Sequence, residues 1–253
     1  MAVIDAITFH NEADMFDLRY KMLEPYVDEF VVVEATSTFG GLPKPLNFPE
    51  GKYPKVRYHV NREEYSQEEM DLAAASPNTG GHERWMHEFM QKEQIQKALL
   101  HLKDDDTVIV GDVDELWDPA VLDDPVEGVR KLKLRVYAYW LDMRSSEEFW
   151  GPIIAKYSEV KGKCLNHLRN NGSGNTPDYW GWHFTNMGGY DAVKMKVFDQ
   201  YNPEVFGTDT WLNLVDRYGK RDYVGRDFQM GLDESEWPEY LKINKERHRH
   251  LCK

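Results

Sequence analysis

Cysteine, basic charge and long apolar runs are all scarce in this sequence, and each deficit narrows the classes of protein it can belong to. Only Cys164 and Cys252 occur in 253 residues; they could pair, but nothing demands a disulfide, and a reducing compartment is the simpler expectation. Non-specific nucleic-acid binding needs a basic face, and the formal net charge of −13 argues against that class. No stretch approaches the roughly 18 apolar residues of a membrane span, and no signal-peptide pattern opens the chain. We therefore expect a soluble, cytoplasmic protein without nucleic-acid or membrane partners.

Hydrophobic and aromatic residues, by contrast, are plentiful. They make up 41% and 13% of the chain, enough for one good-sized core, or a core with a smaller lobe. We expect a single domain over residues 1–253. Tryptophan and tyrosine are frequent, and because aromatic faces suit sugars as well as cores, some of them are expected to line a surface cleft.

The N-terminal half shows the pattern of a parallel α/β sheet. Residues 3–9 and 28–34 are apolar runs typical of buried strands, and apolar residues recur at helical spacing over residues 12–24. This order predicts a β-α-β unit with a right-handed crossover. Residues 55–60 and 107–111 are predicted as a third and a fourth strand.

The rest of the chain is less regular. The polar residues 61–82 are predicted to form a loop, and a semi-apolar stripe over residues 83–102 predicts one long helix. The second half is predicted to contain strands at 132–142, 150–157 and 180–184, a loop at 170–179, and helices at 187–201, 208–218 and 237–250. The predicted fold class is α/β: one domain with a mixed, mostly parallel sheet flanked by helices.

The fourth predicted strand runs directly into a cluster of acids, Asp112, Asp114 and Glu115. Close carboxylates repel one another unless a cation or full solvation offsets their charge. Ligands of open α/β sheets bind outside the carboxyl ends of strands, and alternate residues of an extended segment point the same way. Asp112 and Asp114 could therefore grip one Mg²⁺ or Mn²⁺ ion and leave positions open for a diphosphate.

These acids also have uses other than a metal site. A solvated turn is the ordinary alternative, and a phosphatase with an aspartate nucleophile is a poorer one, because that motif normally follows the first strand. An EF-hand is excluded because Trp117 stands at the sixth position, where that loop needs glycine.

Several further polar residues have both a functional and a structural explanation. His183 could complete a metal site begun by carboxylates, or be a core histidine between aromatic residues. Asp191, after paired glycines, could be a general base or an acid that complements a helix dipole. Contacts to base, ribose or phosphate are predicted, against a solvated-surface alternative, for Asn11, Glu12, Glu34, Lys44, Glu88 and Lys92.

Five blocks of sequence occur in an order that resembles a known family. They are FHNEADMFDLRY, FVVVEATSTFGGLPKPLNF, WMHEFMQKEQI, the strand that ends in DVDE, and GWHFTNMGGYDAV. Over residues 4–200 they resemble glycosyltransferase family 17, whose best-known members transfer a β-1,4-linked N-acetylglucosamine onto the core mannose of N-glycans. Each block is modest, and their joint order is specific.

The resemblance implies a GT-A-like fold with a Rossmann-like nucleotide-sugar-binding half, residues 1–118, and an acceptor-binding half, residues 119–253. It implies a metal-dependent, inverting transfer of a sugar, N-acetylglucosamine among the options, from a nucleotide-sugar donor to a glycan hydroxyl. A UDP-sugar is the expected donor. Animal members carry a membrane anchor that this sequence lacks, which favours a microbial or viral relative.

The resemblance also implies roles for individual residues. Asp112 and Asp114 would hold Mn²⁺ or Mg²⁺ on the donor diphosphate, with His183 as a third ligand or phosphate contact. Asp191 falls at the family's acid after paired glycines, and Glu115 would orient Asp114 or the donor sugar. Matches in the acceptor half, or aromatic residues suited to a sugar platform, are Trp150, Arg169 and Trp182.

Two hypotheses from other classes remain. A metal-dependent phosphohydrolase would use the same acids without an acceptor, and a non-catalytic carbohydrate-binding protein would keep the aromatic residues yet tolerate loss of Asp112 and Asp114.

Overall fold

The predicted β-α-β opening is confirmed in the computed structural model. The structure describes residues 1–77, 83–171, 175–189, 192–193 and 229–253. Its first elements are β1 (Val3–Phe9), α1 (Ala13–Leu23) and β2 (Glu29–Ala35). β1 and β2 pair in parallel, in register from Ile4 opposite Glu29 to Phe9 opposite Glu34.

One mixed sheet contains all the described strands. The others are β3 (Val56–Asn61), β4 (Thr107–Asp112), β5 (Glu115–Trp117), β6 (Arg130–Ala138), β7 (Met143–Lys156), β8 (Asn175–Thr185) and β9 (Met230–Leu232). Their order is β3-β2-β1-β4-β7-β6-β8-β5, with β9 paired to β7. The first four strands of this order are parallel, whereas the pairs beyond β4 are antiparallel except β6–β8. The predicted α/β class with a mixed sheet is confirmed. The sheet is not mostly parallel, because four of the eight pairs between described strands are antiparallel, and the parallel pairs lie chiefly in the N-terminal half.

Helices flank the sheet, and the predictions for residues 61–82 and 83–102 are wrong in part. The described helices after α1 are α2 (Gln67–Ala75), α3 (Glu83–Glu93), α4 (Ile95–Ala98), α5 (Tyr157–Val160), α6 (Leu165–Asn171) and α7 (Glu239–Ile243), with 3₁₀ turns at Pro119–Asp123 and Lys245–Leu251. The predicted loop at 61–82 contains α2, which begins with a capping box between Ser66 and Glu69. The single helix predicted at 83–102 is interrupted at Gln94, which is buried and donates a hydrogen bond to Glu69.

The second half departs further from its sequence pattern. β6 ends at Ala138 because Tyr139 takes a positive φ of 71°. β7 is longer than the predicted strand, and β8 begins inside the loop predicted at 170–179. The predicted C-terminal helix is a short α7 followed by a 3₁₀ turn. The helix predicted at 208–218, and most of the one at 187–201, lie outside the described residues.

Alternate residues of the strands form the core on the two faces of the sheet. Ile7 and Phe9 of β1 pack with α1 and with Phe48, whereas Ile4 and Ala6 pack on the other face with α4. Two-sided burial explains why these strands are nearly continuous apolar runs. Both cysteines are thiols without a disulfide. Within the described ranges, no helix combines the length and apolar character needed to cross a bilayer.

Candidate active site

The acid cluster lies at the carboxyl edge of the parallel strands. Asp112 is the last residue of β4, Glu115 is the first of β5, and Val113 and Asp114 turn the chain between them. Asp112 stands in register with Thr8 at the end of β1, whose hydroxyl donates to Asp112 Oδ1 at 3.3 Å. A cavity of about 210 Å³, the first cavity, is bordered by Thr8, Phe9, His10, Glu12, Phe39, Glu88, Lys92, Asp112, Val113, Asp114, Glu115, Phe149, His183, Thr185 and Asn186.

Asp112 is held by two cations. Arg169 Nη1 and Nη2 donate to its two oxygens at 3.2 and 3.3 Å, and Lys92 Nζ lies 3.1 Å from Oδ2. Burial opposes the charge on Asp112, but Arg169 and Lys92 together hold the pKa of its carboxyl well below the usual range. Lys92 also pairs with Glu88, one turn earlier on α3, at 2.8 Å. The side chains of Asp112, Glu88, Lys92 and Arg169, all predicted site residues, therefore form one network.

Glu115 is the buried anchor of that network. Its carboxylate is 1% exposed and accepts two hydrogen bonds of 2.8 Å from Arg169 Nη2 and one of 2.9 Å from the backbone N–H of Asp112. Burial raises the pKa of Glu115, and the charge of Asp112 adds to this, against the opposing effect of Arg169. Gly151 leaves space for the Glu115 carboxylate, because a Cβ at that position would lie only 2.5 Å from Glu115 Oε1. Glu115 thus fixes Arg169 and, through it, Asp112.

His183 reaches the acids because β8 pairs with β5. Glu115 stands opposite His183 in that antiparallel pair, and the backbone N–H of Phe184 donates to the carbonyl of Asp114 at 2.9 Å. His183 Nε2 lies 3.7 Å from Asp114 Oδ2, and the Phe149 ring packs on the imidazole with centroids 4.1 Å apart. The pairing therefore brings the blocks DVDE and GWHF, which are at least 66 residues apart in the sequence, to the same edge of the sheet.

The side chains on either side of the acid turn differ in how well they suit a divalent cation. Asp114 and His183 offer a carboxylate and an imidazole, both suited to Mn²⁺, whereas Asp112 is already neutralised by Arg169 and Lys92. Over the described residues, no three His, Cys, Asp or Glu side chains are arranged as a metal site. A grip on one ion by Asp112 and Asp114 together therefore stays a prediction.

Two residues predicted to contact a nucleotide are used inside the protein. Glu34 is fully buried and accepts hydrogen bonds from Lys44 Nζ at 2.5 Å, from Tyr58 Oη at 2.8 Å, and from the backbone N–H groups of Asn47 and Phe48. Lys44 Nζ also donates to the carbonyl of His10. Because these bonds fold residues 36–48 back onto the sheet, Glu34 and Lys44 hold a loop, and neither borders the first cavity.

A second cavity, of about 380 Å³, adjoins the first. It is bordered by Asn11, Glu12, Ala13, Asp14, Met15, Asp114, Phe184, Asn186, Met187, Gly188, Ala192 and Leu251. Glu12, Asp114 and Asn186 border both cavities. The carboxylate of Glu12 turns back onto its own turn and accepts from the backbone N–H groups of His10 and Asn11 at 3.1 Å.

The predicted tryptophan platform is not at these cavities. Trp182 is 6% exposed and donates to the carbonyl of Glu236 at 2.6 Å, so it packs in the core. Trp150 lies beside Lys133, whose Nζ is 5.1 Å from its ring centroid. Neither side chain borders either cavity. Asp191, the predicted general base, lies outside the described residues.

Sequence reasoning missed Arg19 and Asn186. Arg19 is fully buried and contacts the backbone of the acid turn; its signal was a charged residue on the apolar face of α1. Asn186 has a φ of 59°, a left-handed conformation that asparagine tolerates. Its signal was the polar pair Thr-Asn after an aromatic strand.

Comparisons with known proteins identify the family of this chain. A family model described as Glycosyltransferase family 17 matches residues 1–202. Beta-1,4-mannosyl-glycoprotein 4-beta-N-acetylglucosaminyltransferases of Rattus norvegicus and Homo sapiens are each 30% identical over 123 residues, which cover 45% of this chain and 21% of the relative. The match thus spans about a fifth of the length of these curated relatives.

A solved structure of the galactosyltransferase LgtC, in complex with donor and acceptor sugar analogs, is similar at 12% identity and a TM-score of 0.33, over 64% of this chain and 59% of that chain. The family model, in contrast, extends over most of the present sequence and includes both the acid turn and the His183 block. The predicted family membership is confirmed: this chain belongs to glycosyltransferase family 17.

Proposed function

We propose that this protein is a metal-dependent, inverting glycosyltransferase that moves a sugar, N-acetylglucosamine in the first instance, from a UDP-sugar to a hydroxyl of a glycan. The family and the printed names of the relatives support the reaction class. The observation that carries the proposal to particular residues is the position of Asp114, which borders both cavities and lies beside His183.

The charges around the first cavity support a cation in company with a diphosphate. Five acidic residues border it: Glu12, Glu88, Asp112, Asp114 and Glu115. They outnumber the ammonium of Lys92 and the guanidinium of Arg169 behind Asp112. A diphosphate entering alone would meet net negative charge. A divalent cation held by Asp114 and His183 would neutralise the leaving nucleoside diphosphate when bound.

The second cavity has the chemistry of a sugar site. Met15, Phe184 and Leu251 offer apolar contacts, and Asn11, Glu12 and Asn186 offer hydrogen-bond partners for hydroxyl groups. No lysine or arginine is among the described residues that border it, so it does not favour phosphate. We assign the diphosphate side of the donor to the first cavity and a sugar ring to the second.

The side chains of the protein would then have separate roles in the reaction. Lys92 and Arg169 hold Asp112 at the diphosphate side, and Glu115 keeps Arg169 in place. A carboxylate, for which Asp191 is the candidate from the sequence, would remove the proton of the attacking hydroxyl, a contribution of typically about 10²–10⁴-fold.

The test is transfer from a panel of UDP- and GDP-sugars, with Mn²⁺, to a mannose-containing glycan. Asp114→Asn should lower transfer at least about 10²-fold, the scale of losing a charge stabiliser at a transition state. The matched control is Asp105→Asn, at the opposite end of β4 and 70% exposed, which should transfer normally.

Each other outcome has a clear meaning. Phosphate or free sugar released without need of an acceptor would indicate a phosphohydrolase. Binding of glycan without turnover would indicate a carbohydrate-binding protein. Equal transfer by Asp114→Asn and Asp105→Asn would remove Asp114 from the mechanism.

A further inference from the structure

The backbone of the acid turn converges on one buried side chain. Arg19 of α1 extends beneath the turn, and its Nη1 donates to the carbonyl oxygens of Asp112, Val113 and Glu115 at 3.1, 3.4 and 2.8 Å. Asp112 ends β4, Val113 lies in the turn, and Glu115 begins β5, so the guanidinium contacts the backbone on both sides of the turn. Buried backbone oxygens need a donor, and a single guanidinium nitrogen supplies it here.

The other end of Arg19 is fixed by Asp5. Nε and Nη2 of Arg19 both donate to the Asp5 carboxylate at 2.6 Å, and Trp117 Nε1 donates to the same carboxylate at 3.0 Å. Arg19 and Asp5 are both 0% exposed. Asp5 is the one charged residue within β1. The ion pair therefore links the central strand, α1 and the first residues after the turn.

Stability alone does not explain this pair. Removing two charges from water is costly, and well-packed apolar residues of similar volume commonly serve a core as well or better. What apolar residues cannot do is donate hydrogen bonds to the carbonyls of the turn. Lysine is also a poor substitute, because only the planar fork of arginine can contact a carboxylate on one side and several oxygens on the other.

We propose that Arg19 is a positioning residue that fixes the conformation of the turn from Asp112 to Glu115, and so directs the Asp114 side chain to the boundary of the two cavities. The consequence for activity rests on the proposed function. The geometric statement does not, since it concerns the order of the turn itself.

The experiment compares three variants with the wild-type protein. Arg19→Lys keeps the charge opposite Asp5. The double variant Asp5→Leu, Arg19→Met removes both charges together. It is expected to fold even where Arg19→Lys fails to fold, because apolar residues can replace a buried ion pair without loss of stability. The matched control is Lys55→Met: Lys55 Nζ also donates to two backbone carbonyls, those of Glu24 and Val27, at the far end of α1.

Two readouts do not depend on transfer. Amide hydrogen exchange over residues 107–117 should become faster in Arg19→Lys and in the double variant, and stay unchanged in Lys55→Met. Affinity for Mn²⁺ alone, measured by calorimetry, should fall about 10–100-fold in the first two, as for groups that orient metal ligands, and stay unchanged in the control.

The failures of the two proposals are separable. Unchanged exchange and unchanged Mn²⁺ affinity in both Arg19 variants would overturn the positioning role, whatever the wild-type protein transfers. A wild-type protein that transfers no sugar would overturn the proposed function, and the exchange comparison would still decide the role of Arg19.

Discussion

Carboxylates in this protein are distinguished by their contacts rather than by their residue type. Asp5 and Glu34 are fully buried and neutralised by Arg19 and Lys44. Glu115 is buried against Arg169. Asp114, in contrast, borders both cavities. Contacts of this kind separate acids that are buried against a cation from acids that border both cavities, which are Glu12 and Asp114.

Removing Arg169 tests the structural role of its network. Arg169→Met leaves Glu115 buried without its cation, and we expect a loss of about 3–5 kcal/mol in the free energy of unfolding, because an uncompensated buried charge is strongly destabilising. Urea denaturation measures it. The control is Lys163→Met, whose pair with Glu159 is about half exposed and should cost about 0–1 kcal/mol. Similar losses in both variants would contradict the role given to Glu115.

The sequence placed some of these residues and not others, for a physical reason. Asp112 and Asp114 were expected at the sheet edge because a strand direction follows from local pattern, and they are there. Glu34 ends a neighbouring strand, but its partners come from a loop that folds back only in three dimensions. Arg19 and Asp5 were visible as charges in apolar segments, and their pairing is a tertiary contact.

The loop over residues 36–48 depends on Glu34. Glu34→Gln removes the charge that Lys44 and two backbone N–H groups contact, so we expect a loss of about 1–3 kcal/mol in unfolding free energy. Limited proteolysis should cut the loop faster. The exposed Glu50, two residues after the loop, gives the control Glu50→Gln, which should change neither quantity. An unaffected loop in Glu34→Gln would show that apolar packing alone holds it.

At the scale of whole elements, α2 shows why a short helix escaped prediction. Ala73 is its only buried residue, so no apolar period marks it. The remaining signal was the capping box from Ser66 to Glu69, which sequence reasoning passed over. The strands of the second half were misjudged for another reason: register shifts at Lys131/Lys133 and Arg135/Tyr137 break the alternation of side chains.

The pH dependence of stability tests the role of Glu69 at the start of α2. Burial opposes its charge, but hydrogen bonds from the Ser66 backbone, Lys97 and Gln94 lower the pKa of Glu69 to about 2 from 4.5. A lowered carboxylate pKa contributes stability above the unfolded value that is lost as pH falls. The wild-type protein should therefore be more stable than Glu69→Gln above pH 4.5, and this difference in stability should shrink to zero towards pH 2.

The comparison uses thermal unfolding between pH 7 and 2. Glu68→Gln is the matched control, since Glu68 is the neighbouring exposed acid of the same turn. Its gap to wild type should stay near zero throughout. A Glu69→Gln gap that widened on acidification would reverse the expected sign.

Across the whole molecule, the C-terminal segment joins parts that are distant in sequence. β9 pairs with β7, the backbone N–H of Leu141 donates to the carbonyl of Leu251, and Arg247 pairs with Asp17 of α1 at 3.0 Å. The second cavity likewise combines residues 11–15, Asp114, Phe184, residues 186–188, Ala192 and Leu251. The division at 118 and 119 into nucleotide and acceptor halves stays a prediction, and this cavity draws on both sides of it.

Trp237 is the anchor of that segment and supports the last prediction. It is 3% exposed, and its Nε1 donates to the carbonyl of Leu141 at 2.7 Å. Trp237→Ala should lower the free energy of unfolding by about 3–5 kcal/mol, the scale of a large core truncation, and should loosen the wall of the second cavity that Leu251 forms. Ile243→Ala, on the same segment and 74% exposed, should change stability by no more than about 0.5 kcal/mol. The measurements are urea denaturation of both variants and amide hydrogen exchange over residues 245–253. Equal stability of the two variants would mean that the C-terminal segment contacts the sheet without stabilising the fold.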